Sequence, residues 1–285
     1  MKKSRVFVYL IVVISAFMIN FYYRPVNNKV ITDKYRKSGA YVNDLYKSDE
    51  FFKNKLLDKD GKRVYEKIIK MSLNDVKKAE ISCDGCDGKM HEVYCALYLD
   101  HPELISYKGI SYRAEPNYLE IYNDQNLGKL QTYFGTRRIE REMDIIRRET
   151  SNMNDKEKII YVYDYVASHN YDQIFMYSRS NQSAYSFFTK GSSVCAGFAK
   201  ASQIIFQNIG IESKLVLDDD HMWNYVKYKN KWYIFDATVG TSYLDKKVNR
   251  FYDGFGETTT GLTTGYFEEL YPEIEETRLR DIFKI

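Results

Sequence analysis

The sequence predicts an α+β fold in which a helix with a thiol in its first turn meets an antiparallel sheet. Three observations carry this. After Cys195, the side chains of Phe198, Ala201, Ile205, Phe206 and Ile209 fall mostly three and four apart, the spacing of one buried helical face. Residues 214–217, 221–228 and 231–237 read as strands, with Lys229-Asn230 as a two-residue turn between the last two. Upstream, residues 137–150 and 155–167 have the apolar stripe of long amphipathic helices. The chain has 285 residues, enough to bury a full core, with 44% hydrophobic and 28% charged residues. A net charge of only +3 argues against nucleic acid as the main partner, and the 27 tyrosines match no base-stacking motif.

From the N-terminus, Met1 to Arg5 is basic and residues 6–23 contain no charged residue. That run is long enough to cross a bilayer as a helix, which takes about 17–25 residues. No small-x-small cleavage site follows it, so an uncleaved signal-anchor is expected at 6–23, with residues 1–5 as a cytoplasmic stub and 24–34 as a tether. Positive charge before the span predicts that the bulk of the chain lies outside the membrane. Residues 35–135 read as a helical and mixed region. Tyr41, Leu45, Phe51, Phe52, Val64, Ile68 and Ile69 mark two helices within 35–73, and residues 91–99 a third. Residues 104–112 and 118–122 read as strands around the turn Ala114-Glu115-Pro116-Asn117. Residues 136–250 hold the thiol region, and 251–285 form a C-terminal extension without a legible motif.

Cys83, Cys86, His91 and Cys95 form a separate cluster with three readings. An exported chain favours a disulfide, Cys83 with Cys86 or Cys86 with Cys95. Buried free thiols are the second reading. The third is zinc, because the order approaches a zinc-knuckle spacing with the last gap one residue short. No metal or cofactor is assigned.

Cys195 follows Gly191-Ser192-Ser193-Val194 at a loop-to-helix junction. There, unpaired amides and the helix dipole favour an anion, and a cationic His can bring a thiol from about 8.5 into the range of roughly 3.5–7.5. A lone cysteine is more often a small core residue, so the case depends on partners. Pairing Tyr228 with Lys231 places Trp223 opposite Asp236, and the two-residue period then puts His221 on the face of Asp236. An imidazole and a carboxylate so placed can pair, the acid setting the tautomer. A carboxylate in an otherwise apolar strand is costly without such a partner, unless it is simply exposed. Trp223 and Trp232 are expected to pack under the hairpin.

Four segments, residues 191–199, 210–213, 221–224 and 232–238, together resemble the core of the transglutaminase-like superfamily in its extracytoplasmic bacterial form. Tyr171-Asp172, Ser183-Ala184-Tyr185 and Asp100-His101-Pro102-Glu103 are similar to that branch too, so the likeness spans roughly 90–245. The resemblance implies a papain-like α+β core with Cys195 as nucleophile, His221 as base and Asp236 as orienting acid. Transglutaminases, cysteine proteases, peptide amidases and inactive members share that core. This chain departs from the common pattern in its short loop 218–220 and in Ala237-Thr238-Val239-Gly240 after the acid, which leaves the substrate class open. The expected chemistry is attack of a thiolate on an amide, with a thioester resolved by water or an amine. The Cys195 amide is one expected oxyanion donor, and Tyr185 and Gln182 are candidates for the second. The expected protein is a membrane-anchored, outward-facing thiol enzyme acting on surface protein or cell-wall peptide. The rival expectation is a catalytically silent surface module for binding or assembly.

Overall fold

The structure, a computed structural model, describes residues 46–74, 76–104, 107–125, 127–172, 174, 181–218, 221–241 and 267–285. All lie in one compact unit, Tyr41–Ile285. The stub, the signal-anchor at 6–23, the tether, the start of the first expected helix, Asp219 and Asp220, and residues 242–266 lie outside the described residues. Among the described residues, no helix is long and apolar enough to cross a membrane.

Helices α1 (Phe51–Leu56) and α2 (Lys59–Leu73) open the described chain. Asp58 caps α2, its Oδ1 accepting from the Gly61 amide at 2.8 Å, and Val64, Tyr65, Ile68 and Met71 form its buried face. Strand β1 (Lys78–Ser82) then joins β2 (Tyr107–Glu115) and β3 (Tyr118–Gln125) in an antiparallel sheet of order β1-β3-β2. The β2–β3 turn is shorter than the sequence predicts, because Glu115 pairs with Tyr118 and leaves only Pro116 and Asn117 between them. Between β1 and β2 runs α3 (Met90–Asp100).

Asp100 ends α3 and is buried. Its Oδ1 accepts the Phe52 amide at 3.0 Å and its Oδ2 the Lys53 amide at 2.9 Å, so it caps the start of α1 across the fold. Burial pushes this carboxyl up to about 6 against the pull of those two amides. Tyr65 bridges onward, its hydroxyl 2.7 Å from His101 Nε2, and His101 Nδ1 lies 2.6 Å from Glu103 Oε1. The segment Asp100-His101-Pro102-Glu103 thus forms a buried polar tie.

Cys83 and Cys86 are joined by a disulfide, while Cys95 on α3 is a buried free thiol with its sulfur 3.8 Å from His91 Nε2. Burial pushes the Cys95 thiol up to about 11. Among the described residues, no His, Cys, Asp and Glu group that could hold a metal ion is present.

The second half is built around α4 (Lys129–Glu149), α5 (Asp155–Ala167), α6 (Ala184–Lys190) and α7 (Cys195–Asn208). A reciprocal capping box starts α5, with the Glu157 amide on Asn154 Oδ1 at 3.1 Å and the Asn154 amide on Glu157 Oε2 at 2.9 Å. Ile139, Met143, Ile159, Val162, Phe187, Phe206 and Phe235 fill the core between these helices and the sheet. That sheet, order β6-β7-β8, is antiparallel: β6 (Ser213–Leu217), β7 (Met222–Tyr228) and β8 (Lys231–Phe235). Tyr228 pairs with Lys231 and Asn224 with Phe235. Both turn residues are left-handed, Lys229 at φ 48° and Asn230 at φ 63°, the geometry of a type I′ hairpin. Strand β8 stops at Phe235 rather than at Ala237, because Ala237 already begins the short helix α8 (Ala237–Thr241).

A second core cluster joins the two halves. Val64, Ile68, Val93, Leu97, Leu119 and Ile121 pack with Ala196 and Ala199 of α7 and with Leu215 and Met222 of the sheet. The far end of the chain closes on the same sheet. Ile274 bridges Trp232 in parallel, Tyr271 donates to the Leu215 carbonyl at 2.8 Å, and helix α9 (Leu279–Phe283) buries Leu279 and Phe283.

Candidate active site

Cys195 is the first residue of α7, and Val194 before it is extended at φ −107° with no side-chain cap. The loop reaching it is fixed from several sides. Strand β5 (Ser192–Ser193) pairs in parallel with β4 (Asn170–Tyr171), and the Asp172 amide donates to the Ser193 carbonyl at 2.9 Å. The Asn181 carbonyl accepts both the Val194 amide at 3.2 Å and the Ser193 hydroxyl at 2.5 Å. Ser186 Oγ adds a contact to Ser193 Oγ at 2.8 Å. Gly197 must be glycine here, since a Cβ would fall 1.8 Å from Ser193 Oγ and 3.0 Å from the Ser183 carbonyl. The close approach of helix to loop thereby aims the first turn of α7 at the sheet.

His221 stands just before β7, with its carbonyl accepting the Asp218 amide at 2.9 Å. Its Nε2 lies 2.7 Å from Asp236 Oδ2, and it is also hydrogen-bonded to Cys195. The other Asp236 oxygen accepts the Thr238 amide at 2.9 Å, in the first turn of α8. A buried carboxylate thus holds a helix start with one oxygen and an imidazole with the other. Trp223 lies beneath His221, its ring nearly parallel at an 18° interplanar angle and 5.7 Å between centroids. Trp223 follows two residues on, within β7, so the rings share a face, and the indole limits rotation of the imidazole. Burial disfavours the imidazolium, but the hydrogen bonds to Asp236 and Cys195 outweigh it and raise His221 to about 10.

The helix that carries Cys195 and the strand that follows His221 are tied internally. Asn224 Nδ2 donates to the Ala199 carbonyl at 3.1 Å and to Gln203 Oε1 at 3.2 Å, and Gln203 Nε2 donates to the Ser213 carbonyl at 2.8 Å. The sequence offered a signal for this tie, a polar Asn224 inside an apolar strand, by the same reasoning that singled out Asp236. Behind the helix, Lys200 is buried with its Nζ 3.3 Å from the centroid of the Tyr98 ring, and burial pushes it down to about 7.

Of the residues singled out by sequence, Cys195, His221 and Asp236 come together. Gln182 stands in the loop before Ser183, the cap of α6, and Tyr185 packs from α6 against the central core. Tyr171 meets Cys195 from β4. Its hydroxyl accepts the Cys195 backbone amide and is hydrogen-bonded to the Cys195 sulfur. Trp223 packs with Val216 and Tyr225, and Trp232 lies partly buried against them.

Residues 144–237 match the family model of the transglutaminase-like superfamily core, a span that includes Cys195, His221 and Asp236. Among solved structures, the chain is similar to that of a TGase at 13% identity and TM-score 0.35, covering 66% of this chain and 55% of that one. It is also similar to a candidate cysteine protease from Cytophaga hutchinsonii at 16% identity and TM-score 0.30, covering 45% of this chain and 61% of that one. The chain therefore spans little more than half the length of these solved proteins. No curated protein matches the sequence.

Proposed function

We propose, from a chain whose residues 144–237 form a core of the transglutaminase-like superfamily, that it is a thiol enzyme acting on amide bonds through a thioester. The observation that carries this reading is the 2.7 Å His221–Asp236 pair, whose imidazole is also hydrogen-bonded to the thiol at the start of α7. At neutral pH the imidazolium faces the sulfur and stabilises negative charge on it. The thiolate attacks the amide carbon, forming a C–S bond, and His221 gives its proton to the departing amine as the C–N bond breaks. Water or a second amine then attacks the thioester carbonyl. His221 accepts the proton of that nucleophile, and the sulfur leaves as thiolate. Asp236 compensates the imidazolium throughout, and its bond to the Thr238 amide prevents it from turning away.

The natural substrate in this reading is surface protein or cell-wall peptide, met on the outer side of a membrane to which residues 6–23 anchor the chain. The uncharged run and the basic residues before it support that placement.

The test incubates the full-length chain with a glutamine-containing protein and a labelled primary amine. Amine incorporation identifies a transferase, and deamidation or cleavage alone identifies a hydrolase. If no acyl chemistry occurs and Cys195 resists alkylation, the enzyme reading fails in favour of a silent surface module.

A further inference from the structure

Two buried amides lie between α7 and its sheet. Gln203 on the helix is 4% exposed and Asn224 on β7 is 1% exposed. Every side-chain N–H of the pair is used. Asn224 Nδ2 reaches the Ala199 carbonyl and Gln203 Oε1, while Gln203 Nε2 reaches the Ser213 carbonyl at 2.8 Å and the Tyr46 hydroxyl at 3.1 Å. Asn224 stands on the central strand, three residues after His221, paired with Leu215 on one side and Phe235 on the other. Phe235 in turn precedes Asp236. One relay therefore joins α7, a turn beyond Cys195, to the two strands whose ends present His221 and Asp236.

Around the relay, helix and sheet meet through apolar side chains, Ala199, Leu215 and Met222 in one cluster and Phe206, Val226 and Phe235 in the other. Such packing is not directional, so it resists separation better than sliding. Donors aimed at fixed carbonyls do resist sliding. Turning the Gln203 amide over would set its oxygen against the Ser213 carbonyl and its N–H groups against those of Asn224, so the arrangement has one orientation. A buried amide pair adds little net stability over an apolar pair of the same shape, which directs attention to geometry. Geometry is where the stakes lie, since a displacement of about 1 Å can cost about 10²-fold in rate.

We infer that Gln203 and Asn224 are positioning residues that set where Cys195 stands against His221, with Tyr46 completing the relay. The inference rests on the thiol-enzyme reading above. Tyr46 is buried in the central core, and its neighbour Lys47 is clamped to the same helix. The Lys47 amide donates to Gln207 Oε1 at 2.6 Å, and Gln207 Nε2 donates to the Lys47 carbonyl. Gln203 and Gln207 are four apart, on one stripe of α7. Residues 46 and 47 thus seat directly on the helix that carries the thiol.

The test follows alkylation of Cys195 by iodoacetamide against pH in the full-length chain, read by mass on the peptide that contains it. Wild type is expected to react well below the ordinary thiol value of about 8.5. Gln203→Met with Asn224→Leu removes both amides, keeps their bulk and leaves neither side chain unpaired. In that variant the midpoint is expected to rise by at least about one pH unit, because a displaced imidazolium supports the thiolate less, while the thermal melt stays cooperative. Gln203→Met alone keeps Asn224 on the Ala199 carbonyl. Its midpoint is expected to move the same way by at least about 0.3 unit, a twofold slowing at low pH. Unchanged midpoints in the folded variants, with or without a lower melting temperature, would reduce the pair to packing and overturn the inference. If the double variant does not fold, Gln203→Met decides by the same criterion. A wild-type midpoint near 8.5 is a different result: the thiol-enzyme reading itself then fails, and this inference falls with it.

Discussion

Replacing Cys195 with Ala is expected to lower amide or ester turnover by about 10⁴–10⁶-fold while leaving the fold in place. The size of the loss follows from the chemistry: without sulfur there is no thioester, and water must attack the amide directly. The small structural effect follows from position. Cys195 occupies the first turn of α7, is only partly buried, and is replaced there by the best helix former. The fixing contacts of the loop belong to Ser193, Val194 and Gly197, all of which remain. The check is a turnover measurement beside a thermal melt. Activity surviving in Cys195→Ala with an unchanged melt would place the chemistry elsewhere in the chain.

For Asp236→Asn, a loss of about 10⁴ in turnover near neutral pH is expected, the scale seen when an orienting acid becomes an amide. Asn can still accept the Thr238 amide, so α8 keeps its first turn. Its amide nitrogen would instead face His221 Nε2, and the ring could pair with it only as an acceptor. That forces the proton onto the nitrogen facing the sulfur and removes the charge that held the imidazolium. The substitution also has a signature in stability. In the folded protein His221 is raised to about 10, above the ordinary value of about 6.5. The pair therefore adds stability that is fully present below about 6.5 and is lost as pH rises through about 10. The gap in melting temperature between wild type and Asp236→Asn should narrow across that window. A gap independent of pH would show that the imidazolium contributes nothing to the fold.

How much of this was legible in the sequence differs by element, for physical reasons. Helix α5 has the bounds that its periodicity predicts, because the Asn154–Glu157 box defines its start locally. The β7–β8 register followed from Lys229-Asn230, since a two-residue turn leaves one pairing that buries the apolar face. Asp236 was legible because its burial requires a partner. Strand β1 was not, since Lys78 and Glu80 on its exposed face mask the inward Ala79 and Ile81. Helix α6 is too short to show a period and owes its place to Phe187 and Phe188 in the core. Strands β4 and β5 have two residues each, below any pattern, so the meeting of Tyr171 with Cys195 could only be seen in three dimensions. The closing segment around Ile274 adds a single bridge to an existing edge, a contact no local rule anticipates.

The distribution of the four cysteines has a practical consequence. Two are consumed by the Cys83–Cys86 bond and a third, Cys95, is buried on the inner face of α3, so Cys195 is the one thiol open to solvent. The molecule is thus its own titration standard. A native chain takes up one equivalent of alkylating reagent, an unfolded chain two, and a chain unfolded under reducing conditions four. Counting label by mass gives the fraction of competent sites in any preparation, before a substrate has been identified.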